Sequence, residues 1–524
     1  MSTIVATRTP VAVGVAALSI DDVVAVARHG APVVLDDEAL AAIDRARAVV
    51  DRMAASPTPA YGVSTGFGAL ATRHIAPELR TRLQRSLVRS HAAGSGPEVE
   101  REVVRALMLL RLSTLATGRT GVRRETAELL AGLLTHGITP VVHEYGSLGC
   151  SGDLAPLSHC ALALMGEGPV RTADGTLTDA GTALAAAGLS PVELQEKEGL
   201  ALINGTDGML GMLALAIHDL RDLLRTADVA AAMSVEALLG TDRVFAPELQ
   251  AIRPHPGQAA SAGNLVALLA DSGIVASHRG PDCTRVQDAY SLRCSPQVHG
   301  AARDTLAHAE LVASRELASA IDNPVVLDAD GDEPRLESNG NFHGAPVAYV
   351  LDFLAIVAAD VASIAERRTD RMLDRARSNG LPPFLAADPG VDSGLMIAQY
   401  TQAAIVSELK RLAAPASVDS IPSSAMQEDH VSMGWSAARK LRRSVDGLAR
   451  VLAVEVMAAA RALELRAPLA PAPATAAVVA ALRAAGVGGP GDDRFLAPEI
   501  DLAHHLVTGR AVSAAAVTVI GDLR

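Results

Sequence analysis

Apolar residues recur at alternating steps of four and three along much of the second half of the chain. In VAYVLDFLAIVAADVASIAERRTDRML, residues 347–373, Val350, Leu354, Val357, Val361 and Ile364 fall on one seam. That spacing predicts a long bundle helix with one apolar face. LRRSVDGLARVLAVEVMAAARAL, residues 441–463, repeats it through Leu441, Val445, Leu448, Leu452 and Val456, and VHGAARDTLAHAELVASRELASAIDN, residues 298–323, is a third candidate. The first 200 residues read differently, as short helical patterns between Gly/Pro-rich loops. The pattern divides the chain into a loop-rich region over 1–203, a helical body over 204–466, and a C-terminal helical appendage over 467–524 that opens on the Pro/Ala break APLAPAPAT. Helices of this kind are ordinarily structural, so chemistry is expected in the loops between them.

Composition narrows the function classes. Of 524 residues, 49% are hydrophobic and 20% charged, enough for a sizeable core. A formal net charge of −13 disfavours nucleic acid, which needs a basic surface. The four cysteines (Cys150, Cys160, Cys283, Cys294) form no CxxC pair, and no His/Cys spacing suits zinc, so neither a disulfide framework nor a metal site is expected. The N-terminal stretch has an early Arg and a broken apolar run, which does not read as a secretory signal. No uncharged apolar run reaches membrane-spanning length. The expectation is a soluble cytoplasmic protein without a membrane or nucleic-acid partner.

The stretch GSLGCSGDLAPLSH, residues 146–159, admits three readings of Ser151. A hydrolase elbow needs Gly-x-Ser-x-Gly between strand and helix. Here Asp153 stands where the last glycine belongs; ITPVVHEYGS offers at most a short strand before it. A plain turn suits Gly, Ser and Asp equally well. The third reading is chemical. Gly152 has an unhindered N–H and wide backbone freedom. If a tight turn presses its nitrogen onto the Cys150 carbonyl carbon, a five-membered ring closes. Loss of water from the ring, then of the Ser151 hydroxyl as water, leaves an exocyclic methylene on an imidazolone, a strong electrophile.

YGVSTGFG (61–68), GSLGCSGDLAPLSH, LINGT (202–206), VQDAYSLRC (286–294), NGNFHGAPV (339–347), LPPFL (381–385) and QEDHVSM (427–433) occur in this order. Together they resemble the histidine ammonia-lyase family, from about residue 20 to past 500. The resemblance implies a mainly α fold: a long central antiparallel helical bundle, with the loop-rich N-terminal region carrying a 4-methylideneimidazole-5-one (MIO) group. That group would form autocatalytically from Cys150-Ser151-Gly152, with no external cofactor. Cys150 replaces the usual alanine, and since only its backbone enters the ring, the thiol should not prevent cyclisation.

The chemistry explains the need for such a group. Eliminating ammonia removes a weakly acidic β-proton and expels a poor leaving group. Positioned acid–base catalysis gives about 10²–10⁴-fold, roughly 3 to 5.5 kcal/mol, whereas whole enzymes commonly need ~8–23 kcal/mol. An electrophile that activates the substrate amine, or its ring, makes up the difference.

The resemblance also assigns roles. Tyr61, on general grounds a packed tyrosine, becomes the base for the β-proton, which would require a lowered pKa. Tyr290 and Arg293 lie three apart, on one side of a helical turn. Arg293 would hold the α-carboxylate through its fork, with Tyr290 near the MIO and Gln287 on the same loop; the bland alternative for Arg293 is a surface ion pair. Asn204, otherwise a turn or cap residue, would donate to the MIO carbonyl or the carboxylate. Phe342 would pack on the MIO or the substrate ring. Ser90 and His91 stand at the family's ring-selecting position, and Glu428 stands where phenylalanine and tyrosine enzymes usually carry Gln. A carboxylate suits an imidazole N–H, and a phenyl ring would leave it unpaired at a cost of order 1–3 kcal/mol or more. The reading that results is an L-histidine lyase giving trans-urocanate and ammonia, and by resemblance a homotetramer with shared active sites. A lyase or aminomutase for another aromatic amino acid, a serine hydrolase and an inactive helical scaffold remain the alternatives.

Overall fold

The computed structural model describes residues 9–280, 283 and 286–524. Part of the stretch read as lacking a secretory signal, residues 1–8, lies outside them. The fold is mainly α, and its few strands form small sheets of two or three. The chain divides into two compact units. The first gathers residues 1–218, 310–352 and 415–439, and the second 219–309, 353–414 and 440–524. Each division falls inside a helix or at its edge, because helices such as Ala345–Leu373 and Gly434–Glu464 run through it. A unit therefore collects stretches remote in sequence, where the sequence pattern suggested consecutive blocks.

Apolar spacing locates the long helices closely. The segment expected over 347–373 is helical from Ala345 to Leu373, and that over 441–463 from Gly434 to Glu464. Leu441, Val445, Leu448, Leu452 and Val456 are all buried, whereas Ile364 at the end of the first seam is only half-buried. The third helix, Ser295–Leu317, stops six residues short of the expected end at 323. Beyond it the Ile321 carbonyl is taken by Arg111 and the Asp322 carboxylate by Lys197, so tertiary bonds replace further helical ones. By length and composition Ala345–Leu373 could cross a membrane, but most of it is buried inside the protein, as in a core helix.

The first unit is built around the helix Arg101–Ala116, buried continuously from Val103 to Ala116. Two arginines on it are buried because carbonyls receive them. Arg105 donates to the carbonyls of Val26 and Leu134, and burial pulls it down to about 10, leaving it charged at neutral pH. Arg111 donates to the carbonyls of Ala201, Asn204 and Ile321 and pairs with Asp207 at 3.3 Å, holding the LINGT turn. In the second unit, Arg368 is paired with Glu455, and Asp228 receives His299, Arg303, Ser261 and Asn264. The three C-terminal helices, Pro473–Ala485, Ala497–Thr508 and Ala511–Ile520, belong to this unit.

Candidate active site

The serine turn lies between the strand His143–Tyr145 and the helix Leu154–Leu164. The strand pairs antiparallel with Ser95–Glu98 in a sheet of two, which is not the parallel-sheet scaffold of a nucleophile elbow. Within the turn Ser151 has φ 49°, Gly149 φ 89° and Gly152 φ 83°. A serine held at positive φ is a strained conformation that its surroundings must enforce. Gly149 bridges back to Gly152, and Gly152 bridges Gly205 in the LINGT turn. A Cβ on Gly152 would run into the Gly205 carbonyl, so glycine is required by contact as well as by φ.

Asp153, where the elbow pattern expected glycine, is what anchors this turn. Its N–H donates to the Gly205 carbonyl at 2.7 Å. Its carboxylate accepts from the Ser147 hydroxyl and from the N–H groups of Gly208 and Met209, each at 2.9 Å. Those N–H groups open the helix Asp207–Ala237, whose positive end favours an anion. Complete burial nevertheless pushes the Asp153 carboxyl up to about 7, with Asp207 adding to the rise. Beside Gly205, Asn204 donates its amide to the Asn323 carbonyl, and its Oδ1 is buried without a hydrogen-bond partner. The strained serine and the obligatory Gly152 both fit an MIO formed from Cys150-Ser151-Gly152.

Cys150 and Ser151 open into a cavity of about 400 Å³ that Tyr61, Phe342 and Glu428 also line. Asn323, His343 and His430 share the lining without having been singled out by sequence; the two histidine rings stack at 5.6 Å. Gly152, Asn204, Ser90 and His91 are not among its walls. Ser90 is exposed and donates to the Leu87 carbonyl at 3.0 Å, and His91 Nδ1 lies 2.9 Å from the same oxygen. Burial lowers the His91 pKa, while the Leu87 carbonyl and the Glu428 charge oppose that fall. Tyr61 moves against expectation. Burial raises its pKa, the charges of Glu428 and Asp322 raise it further, and only the Gly68 N–H, at 3.3 Å from the hydroxyl, draws it down.

Gln287, Tyr290 and Arg293 belong to the second unit and line none of that cavity. Tyr290–Arg293 is a single helical turn with the guanidinium carbon 4.6 Å from the Tyr290 ring centroid. Tyr290 is 72% exposed, and Arg293 Nε is buried without a hydrogen-bond partner. Gln287 and Arg293 line a cavity of about 330 Å³ in their own unit. No group of three or more His, Cys, Asp or Glu side chains is arranged for a metal among the described residues.

Residues 18–484 match the family of aromatic amino acid lyases. The chain is 69% identical to a histidine ammonia-lyase of Streptomyces coelicolor over 98% of its length and 99% of the relative's. Among solved structures it is similar to the histidine ammonia-lyase of Trypanosoma cruzi, with TM-score 0.89 and 37% identity, covering 98% of this chain and 96% of that one. It is also similar to the tyrosine aminomutase of Streptomyces globisporus, with TM-score 0.92 and 38% identity, covering 98% and 100%.

Proposed function

The chain belongs to the aromatic amino acid lyase family, and on that premise we propose that it is a histidine ammonia-lyase, a carbon–nitrogen lyase that converts L-histidine to trans-urocanate and ammonia. The observation that carries this reading is the strained serine turn opening into one cavity with Tyr61 and Glu428. The 69% identity to a histidine ammonia-lyase, against 38% to a tyrosine aminomutase, favours the histidine lyase over an aminomutase.

If formed, an MIO from Cys150, Ser151 and Gly152 would supply the electrophile that activates the substrate amine or its ring. The remaining work falls to side chains. Tyr61 takes the β-proton, with the Gly68 N–H stabilising its oxyanion. Glu428 accepts an imidazole N–H, and Phe342 packs against the ring. Arg293, with a donor to spare, grips the carboxylate in two-point contact. Asn204 secures the carbonyl of the MIO or the carboxylate.

Tyr61 needs donors or positive charge beyond the single Gly68 N–H that its own surroundings provide. Our reading is that Gln287, Tyr290 and Arg293 of another copy complete the pocket, in a homotetramer. The exposure of Tyr290, and of Phe353, Ile356, Ile397 and Tyr400 in the second unit, supports a covered assembly face. Four free cysteines suit a reducing, cytoplasmic setting.

Intact-protein mass tests the reading. The purified chain should be lighter than its translated mass by two waters and absorb in the near-UV beyond what one Trp and five Tyr explain. Ser151→Ala should restore the full mass and abolish release of urocanate. An unmodified wild-type mass would end the MIO reading.

A further inference from the structure

Lys197 is completely buried, which a lysine tolerates only when it is paired. Its Nζ donates to Asp322 Oδ2 at 2.5 Å, with both side chains out of solvent. The Lys197 backbone stands at φ 74° and opens the short helix Glu198–Ile203, which ends on Asn204. A second bond ties the far end of that helix to the same segment, since Asn204 Nδ2 donates to the Asn323 carbonyl at 2.7 Å. Asp322 Oδ1 accepts the Asn323 N–H at 2.7 Å, so both carboxylate oxygens are engaged. The Tyr61 turn rests on this frame. A Cβ on Gly62 would meet Leu200 at 2.7 Å, Pro324 at 3.5 Å and the Lys197 stem at 3.6 Å. Gln84 adds a hydrogen-bonded tie, accepting from the Gly199 N–H at 2.9 Å and donating to the Gly62 carbonyl at 3.5 Å. Tyr61 and Asn323 thus enter one cavity from a common base.

We propose that Lys197 is a positioning residue for Tyr61: by pairing with Asp322 against the Gly62 turn, it fixes the phenol in the cavity and keeps a bare carboxylate from opposing it. The inference rests on the reading of Tyr61 as the base. Burial lowers the Lys197 pKa, and the Asp322 carboxylate opposes that fall. Wherever the shared proton sits, the two side chains together carry no net charge. Without Lys197, Asp322 would be a buried, unpaired anion behind a tyrosine that already shares its cavity with Glu428, and a further negative charge opposes tyrosinate. The remaining ionisable groups on the cavity wall are Cys150, Asp429, His343 and His430. Arg111, the next cation behind Lys197, is committed to three carbonyls and to Asp207, so it does not replace the ammonium.

The test follows kcat and kcat/KM for L-histidine against pH in full-length wild type, Tyr61→Phe, Lys197→Met and the Lys197→Met/Asp322→Asn pair. Methionine keeps an unbranched stem against Gly62, and asparagine keeps an acceptor for the Asn323 N–H. Lys197→Met should still be two waters light, lose about tenfold or more, mostly in kcat, and move its acid limb by about one pH unit toward alkaline. The double variant, neutral again, should bring the limb back to its wild-type pH and recover most of kcat. Baring a buried charge also weakens the fold, so rates are normalised to folded protein by circular dichroism. Lys197→Gln, a donor without the charge, should show the same displaced limb and replaces Lys197→Met where that chain does not fold. A loss that tracks the folded fraction with an unmoved limb, a limb still displaced in the double variant, or a Lys197→Met chain of full translated mass would each overturn the proposal. Wild-type turnover by Tyr61→Phe would overturn the base reading instead, and the role of Lys197 with it.

Discussion

Glu428 places a carboxylate in a cavity whose other walls include Phe342 and Tyr61, and in the proposed reading a polar substrate ring uses it. Glu428→Gln keeps the size and deletes the charge. Histidine turnover should fall about tenfold or more, the loss of a charge-assisted bond of ~1.5–3 kcal/mol. Trace activity on phenylalanine or tyrosine should hold or rise, because the carboxylate charge facing those rings is gone. Equal losses on all three substrates would assign Glu428 to the common elimination chemistry, and parallel steady-state assays decide the matter. At this scale the sequence reveals residues whose chemistry is unusual for their setting, such as a serine between Cys150 and Gly152 or a glutamate in QEDHVSM. It does not reveal residues whose partners are backbone atoms. Asp153 reads as a flaw in an elbow motif until the N–H groups of Gly208 and Met209 are seen to meet it. Arg111 leaves one trace, a charge inside the apolar run ALMLLRLSTLA, and a charge so placed must find partners.

The start of the helix Asp207–Ala237 and the serine turn share Asp153, so the stability of the one is tied to the other. The folded carboxyl is raised to about 7, above the ordinary carboxylate value near 3.9. The folded state therefore holds this proton more tightly than the unfolded chain between those two values. The stabilisation is present below pH 4 and is lost as pH rises through 7. Asp153→Asn lacks the titration. Compared in a Ser151→Ala background, where ring formation cannot intervene, the two proteins should unfold at similar urea concentrations at or below about pH 4. By pH 8 the Asn variant should be relatively more stable, by up to about 1.4 kcal/mol per pH unit crossed. Parallel pH profiles in urea titrations would show that Asp153 is charged in the fold throughout. Elements such as Ala345–Leu373 are legible in sequence because one buried face repeats over seven turns or more. The cavity is not, since its walls come from loops near 61, 150, 340 and 428, and no periodicity says which loops meet.

On the scale of the whole molecule, the candidate machinery is distributed. Tyr61, Ser151 and Glu428 lie in the first unit, whereas Gln287, Tyr290 and Arg293 lie in the second and line none of the first unit's cavity. Tyr61 is left with a raised pKa, and Arg293 with a buried donor that no acceptor meets. Both are explained if the second unit of one copy completes the pocket of another, and this assembly makes a prediction no single-chain site shares. Tyr61→Phe and Arg293→Ala should each be inactive when produced alone. Co-produced in equal amounts, they assemble into mixed tetramers in which some pockets draw Tyr61 from the Arg293→Ala copy and Arg293 from the Tyr61→Phe copy. Random closed assembly makes such pockets about a quarter of the total, so activity should return to roughly a quarter of wild type. Mixing the two proteins after each has assembled should restore nothing until subunits exchange. Activity absent from the co-produced sample, with tetramers intact by light scattering, would mean that Tyr61 and Arg293 serve one site within a single chain, or that Arg293 serves none.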